Sequence, residues 1–124
     1  METQRKGNCA EDLARQWLEN QGLKYVESNY SAKTGEIDLI MQQSSILVFI
    51  EVRYRERSNQ HSSFGGAVAS VDLRKQRKLI QTTQRYLQQR RLGGLAARID
   101  VLDVSGSLSD PVFDWVRNAI PDCG

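Results

Sequence analysis

Histidine occurs once in the 124 residues, at position 61, and cysteine and proline only twice each. A single imidazole excludes any site that needs two and argues against a Ser-His-Asp triad. Cys9 and Cys123 stand at opposite ends of the chain and form no CxxC pair, so neither a zinc site nor a disulfide framework is indicated, and both read as reduced thiols. No segment approaches the run of about 18 apolar residues that spans a bilayer, and Met1 to Lys6 lacks an apolar stretch suited to a signal peptide. The expectation is a cytoplasmic protein that does not engage a membrane. There is no GxxxxGK[ST] or GxGxxG loop, which argues against a metabolic enzyme acting on small phosphates. Repeats, low-complexity tracts and Pro-rich linkers are also lacking, so with 40% hydrophobic and 26% charged residues one domain is expected over 1–124.

The net charge of +2 conceals an uneven distribution. Between Ser70 and Arg91 stand seven basic residues (Arg74, Lys75, Arg77, Lys78, Arg85, Arg90, Arg91) and one acid, Asp72, for a net +6; the remaining ten basic and fourteen acidic residues carry −4. Lys and Arg clustered on one element can displace counterions from a nucleic acid, and a solvated helix face is the alternative that charge alone leaves open.

Residues 8–21 set Ala10, Leu13, Ala14, Trp17 and Leu18 at helical spacing before Gly22, and predict an amphipathic first helix. Residues 23–30 alternate weakly as a strand. Residues 36–43 and 46–54, separated by Ser44-Ser45, are rich in β-branched and apolar residues and predict a hairpin whose second strand, apolar on both faces, is central. Residues 55–69 are polar and glycine-containing with no sustained period, and predict a mobile loop. Ser70 reads as an N-cap with Asp72 in the first turn of the longest helix, which runs through Leu73, Leu79, Ile80, Thr83 and Leu87 to Gly93-Gly94. Residues 97–104 and 112–117 alternate as strands around a Ser/Gly/Asp/Pro turn region. The order α-β-β-β-α-β-β predicts an α/β fold in which a mixed sheet packs against helices.

With a two-residue turn at Ser44-Ser45, Met41/Val48, Leu39/Ile50 and Ile37/Val52 form one apolar face. The other face then carries Ile40/Phe49, Asp38 opposite Glu51, and Glu36 opposite Arg53. Directly opposed Cβ atoms lie about 4.5 to 5.5 Å apart, so two carboxylates repel there and a divalent cation would relieve them. A four-residue loop over 42–45 would instead set Glu36 opposite Glu51 with Asp38 diagonal, and the acidic cluster survives on the same face. The plainer alternative pairs Glu36 with Arg53 and leaves Asp38 and Glu51 solvated. Against it, both acids are flanked by apolar strand residues, where an unpaired charge is costly.

The motifs Gly35-Glu36-Ile37-Asp38-Leu39-Ile40, Phe49-Ile50-Glu51-Val52-Arg53-Tyr54-Arg55, Phe64-Gly65 and Ser70-Val71 with Lys75-Gln76 resemble the YraN family of small bacterial proteins. That family is similar to the PD-(D/E)xK nuclease superfamily, especially Holliday-junction resolvases and other restriction-endonuclease-like folds. The resemblance implies a three-layer sandwich. It implies that Asp38 and Glu51 are metal ligands and catalytic residues, that Arg53 stands at the motif's Lys position, that Glu11 is a further metal-binding acid on the first helix, and that Gln76 is a polar residue of the long helix approaching the site. Gln76 shares a stripe with Leu73, Ile80, Thr83 and Leu87, so it too is expected to point toward the sheet. An arginine cannot act as a base, but it can hold a phosphate or stabilise transition-state charge.

The leading expectation is therefore an enzyme, a nuclease dependent on Mg²⁺ or Mn²⁺ that acts on structured DNA. Asp38, Glu51, Arg53 and Gln76 would form its centre, and Arg55, Arg57, Arg74, Lys75 and Lys78 would grip flanking phosphates. The alternative is a module that keeps the nuclease fold and binds nucleic acid, or a DNA-processing partner, without useful turnover. The residues leave a homodimer open.

Overall fold

The computed structural model describes residues 2–55 and 72–120, with side chains from Cys9 onward. Helix α1 (Glu2–Asn20) is followed by β1 (Lys24–Ala32), β2 (Gly35–Gln43), β3 (Ile46–Tyr54), α2 (Leu73–Gln89), β4 (Ala96–Ser107) and β5 (Asp110–Ile120). The expected loop over 55–69, with Arg57, Phe64 and Gly65, lies outside the described residues beyond Arg55, as does Ser70.

The five strands form one sheet in the order β1-β2-β3-β4-β5. Every neighbouring pair is antiparallel except β3 and β4, whose parallel pairing needs the crossover that contains α2. Central β3 is buried from Leu47 to Glu51, as an apolar run flanked by strands on both sides requires. The result is the expected α/β sandwich, with a core on each face of the sheet. On one face Ala14 and Leu18 of α1 pack on Leu39, Met41, Val48, Ile50, Leu102 and Val104. Trp17 extends this layer, its ring stacked on Phe113 at 4.9 Å and edge-on to Trp115 at 5.8 Å. On the other face Leu79 and Tyr86 of α2 pack on Tyr30, Ile37, Ile40, Phe49, Ile99 and Val101.

The hairpin turns on Ser44-Ser45, with Gln43 facing Ile46 and Leu39 facing Ile50. Ser44 meets the demand of so tight a turn by adopting φ 55°. The expected continuous face Ile37/Leu39/Met41 is broken: Leu39 and Met41 lie in the α1 core, while Ile37 lies in the α2 core. Strict alternation fails because Asn29, flanked by the pairs Ser28/Leu39 and Tyr30/Ile37, takes a left-handed φ of 55° and both strands change face there.

Helix α2 also differs from expectation. Its N-cap is Asp72 itself, whose carboxylate accepts the Lys75 N–H at 2.8 Å, so Asp72 precedes the first turn instead of sitting within it. Its buried residues are Leu79, Thr82, Thr83 and Tyr86, whereas Leu73 is 66% exposed. The packed face is thus rotated by about one position from the expected stripe. Hydroxyl partners help at Thr82 and Tyr86, whereas Thr83 Oγ1 is buried without a hydrogen-bond partner among the described residues. Thr82 Oγ1 donates to the Lys78 carbonyl at 2.7 Å and lies 2.7 Å from Thr34 Oγ1, and Tyr86 donates to Glu27 at 3.1 Å.

β4 and β5 run through the expected turn region to Ser107 and from Asp110. Pro111 is tolerated because β5 is an edge strand. Gly106 has φ +82°, and a Cβ there would meet the Asp110 carbonyl at 2.7 Å, so the tight hairpin requires glycine. Buried Asp100 fixes the irregular pairing beyond it: its carboxylate accepts from Arg98, from Trp115 Nε1 at 2.9 Å and from the Asn118 N–H at 2.8 Å.

Candidate active site

The regular β2–β3 ladder ends at Leu39/Ile50, one pair short of the two acids. Beyond it, Asp38 Oδ2 accepts the Val52 N–H at 2.8 Å, so a side chain replaces the backbone carbonyl and the strand ends separate. This opens a cleft of about 280 Å³ between the strands and α2, lined by Gly35, Glu36, Asp38, Glu51, Lys75, Lys78, Leu79 and Thr82. The cleft has carboxylates on its strand side and lysines on its helix side.

Glu51 is only 5% exposed, yet charged partners reach it: Lys75 Nζ lies 3.1 Å and Arg53 Nη1 3.3 Å from the same oxygen, Oε2. Asp38 is half-buried. Loss of water and the nearby Glu51 charge push its carboxyl up to about 7, although the Val52 N–H and Lys75 favour ionisation. Among the described residues, no group of three or more carboxylate, imidazole or thiol side chains is placed to hold an ion. The oxygen donors of Asp38 and Glu51 nevertheless fit a hard divalent cation, because Mg²⁺ takes one or two carboxylates and fills its remaining positions with water and phosphate oxygen.

Glu11 lines a neighbouring pocket of about 320 Å³ with Asp12, Arg15, Tyr25, Ser28, Asn29 and Leu39. Burial, Asp12 and Glu36 raise its carboxyl against a hydrogen bond with Asn29. Its charge is felt at Asp38, but it does not line the same cleft. Gln76 is half-buried in the first turn of α2, its N–H bonded to the Asp72 carbonyl at 2.9 Å, and like Arg53 it is not among the residues lining the cleft. Arg55 reaches away to β4, where it pairs with Asp103 at 2.9 Å. Arg74 is exposed on α2, and Lys78 lines the cleft. Arg57 lies outside the described residues.

A family model described as "Uncharacterised protein family UPF0102" matches residues 10–104, an interval that includes Glu11, Asp38, Glu51, Lys75 and Lys78. The chain belongs to the UPF0102 family. A UPF0102 protein of Methylococcus capsulatus is 44% identical over 114 residues, covering 92% of this chain and 89% of that protein. A UPF0102 protein of Vibrio parahaemolyticus is 45% identical over 117 residues, covering 94% and 92% respectively. Among solved structures, Pyrococcus furiosus SfsA in complex with Ca²⁺ aligns with a TM-score of 0.38 and 12% identity, over 93% of this chain and 63% of that one, too loosely for any argument.

Sequence reasoning placed Lys75 of this UPF0102 chain among flanking phosphate contacts and missed its approach to Glu51. Its spacing from Lys78, Leu79 and Thr82 on one helix face was the available signal, once the packed stripe is centred on Leu79 and Thr82. Asn29 was also missed, since no pattern marks a strand asparagine that will adopt a positive φ.

Proposed function

We propose that this UPF0102 protein is a divalent-metal-dependent nuclease hydrolysing phosphodiester bonds in structured DNA. The observation that supports this reading best is the meeting of Asp38 and Glu51 in a cleft whose opposite wall carries Lys75 and Lys78. Carboxylates facing ammonium groups suit a phosphate held between a cation and lysine donors. Asp38 and Glu51 would hold Mg²⁺ or Mn²⁺, and the chemistry such an ion supplies is polarisation of a phosphoryl oxygen and acidification of water. The chain's own part is placement. The Val52 N–H fixes the Asp38 carboxylate, and Lys75 and Arg53 fix that of Glu51. Hydrolysis joins a water oxygen to phosphorus and breaks the bond to a sugar oxygen, which leaves with a proton.

A second reading is a nucleic-acid-binding module without turnover. It is favoured by the two cations already at Glu51 Oε2, which neutralise that carboxylate without a metal. Labelled junction, flap, single-stranded and RNA substrates incubated with Mg²⁺ or Mn²⁺ separate the two. The nuclease reading expects cleavage of a DNA junction or flap that chelation and Asp38→Ala abolish. Binding without cleavage of any substrate overturns it in favour of the module.

A further inference from the structure

Arginine chemistry at the motif's Lys position makes Arg53 the expected phosphate-contacting cation, but the cleft is lined by other cations. We propose that Lys75, projecting from α2 into the cleft, is the cation that holds the reacting phosphate, with Lys78 one turn on holding the next phosphate of the same strand. This assignment rests on the nuclease reading and names the group that would recognise its substrate.

Four observations carry it. Lys75 and Lys78 line the cleft with Asp38 and Glu51, and Arg53 does not. Lys75 Nζ approaches Glu51 Oε2 at 3.1 Å, closer than Arg53 Nη1 at 3.3 Å. An ammonium group has three N–H donors, so one directed at Glu51 leaves two for phosphate oxygens, and the Lys75 side chain is 44% exposed toward that use. Finally, its position is fixed independently of any ligand: Asp72 caps the Lys75 N–H at 2.8 Å, and Thr82 ties the helix to Thr34 beside the cleft. Gly35, which lines the cleft beside Thr82, has a backbone at φ +146° that side-chain-bearing residues rarely adopt.

Residues three apart on a helix face have Cβ atoms about 5 to 6 Å apart, so flexible lysine stems can reach two successive phosphates of one strand. The site then favours a polynucleotide over a single nucleotide. A cation supplied by α2 also makes the helix part of the phosphate site itself, in addition to any role of its exposed basic residues in gripping the flanks.

The test compares Lys75→Ala, Lys75→Arg, Lys78→Ala and Arg53→Ala in two measurements, after circular dichroism has shown that each folds. The first is cleavage of a labelled DNA junction in Mn²⁺; the second is anisotropy of a labelled single-stranded 12-mer and of labelled AMP at low salt in Ca²⁺. Lys75→Ala should lose on the order of 10² to 10³ in kcat, with Lys75→Arg recovering part, and Arg53→Ala should lose less than about tenfold. Lys75→Ala and Lys78→Ala should each weaken 12-mer binding about tenfold, while only Lys75→Ala weakens AMP binding. A larger loss from Arg53→Ala than from Lys75→Ala in either measurement overturns the assignment. If wild type cleaves nothing, the nuclease reading fails and the binding series still decides: weaker 12-mer binding in Lys75→Ala but not Arg53→Ala upholds Lys75 as the phosphate cation, and equal binding overturns it.

Discussion

Asp38 Oδ2 accepts the Val52 N–H at 2.8 Å where the β2–β3 ladder stops, so the same carboxylate that leaves water also closes the strand pair. Burial and Glu51 raise this carboxyl from an ordinary 3.8 to about 7. The native state thus binds a proton that the unfolded chain releases near pH 4. Stability from this group is fully present below about pH 4 and is lost as pH rises through about 7. Asp38→Asn keeps an acceptor for Val52 but cannot ionise. Thermal melts from pH 5 to pH 8 should fall more steeply for wild type than for this variant, and the variant should be the more stable at pH 8. Parallel profiles would show that Asp38 titrates normally.

Metal binding separates Asp38 and Glu51 from Glu11. Titration with Mn²⁺ should reveal at least one site, weakened at least about tenfold in Asp38→Ala and in Glu51→Ala, as removal of a direct ligand requires. Glu11→Ala should have a smaller effect, because Glu11 lines the adjacent pocket and reaches Asp38 only through its charge. Equal affinity in all three variants would refute the ligand pair.

The acidic pair was legible in the sequence because period-two alternation and one turn suffice to bring Asp38 toward Glu51. The same rule failed at Ile37, since the left-handed Asn29 reverses the faces and nothing local announces that conformation. Element order followed from the alternation of helical and strand periods, and α2 from its length. The rotation of α2 was not legible: Thr83 is buried as its stripe implied, but burying Thr82 while exposing Leu73 contradicts hydrophobicity taken alone. It becomes intelligible once the Thr34 hydroxyl is seen to receive Thr82. The contact that Arg53 makes was not legible for a related reason. The plainer sequence alternative paired it with Glu36, whereas the separated strand ends leave it beside Glu51.

Asp100 should matter for folding without belonging to the site. It is fully buried, and Arg98, which it binds through both carboxylate oxygens, is itself only 17% exposed on its side chain. Asp100→Ala would strand that guanidinium and release both Trp115 Nε1 and the Asn118 N–H. A loss of about 3 to 5 kcal/mol is expected in urea unfolding. A loss under about 1 kcal/mol would mean that the arginine finds water and that the β5 irregularity holds itself.

The basic face of α2 is not uniform, and salt dependence should reveal which of its charges serve a nucleic acid. Arg74 is exposed at the cleft end of the helix, and Lys78 lines the cleft. Arg90, at the far end, instead donates to both oxygens of Glu27 at 3.0 and 2.9 Å and lies 4.9 Å from the Tyr86 ring centre, so its charge is already spent within the fold. Each true phosphate contact contributes about one to the slope of log affinity against log salt, because each one releases condensed counterions. Arg74→Ala and Lys78→Ala should each lower the slope by about one, whereas Arg90→Ala should leave it unchanged while costing stability through the freed Glu27. Anisotropy titrations of a labelled DNA junction across about 50 to 200 mM salt measure this directly. An Arg90→Ala slope reduced as much as that of Lys78→Ala would place the nucleic acid along the whole helix, and no change in any variant would return α2 to an ordinary solvated face.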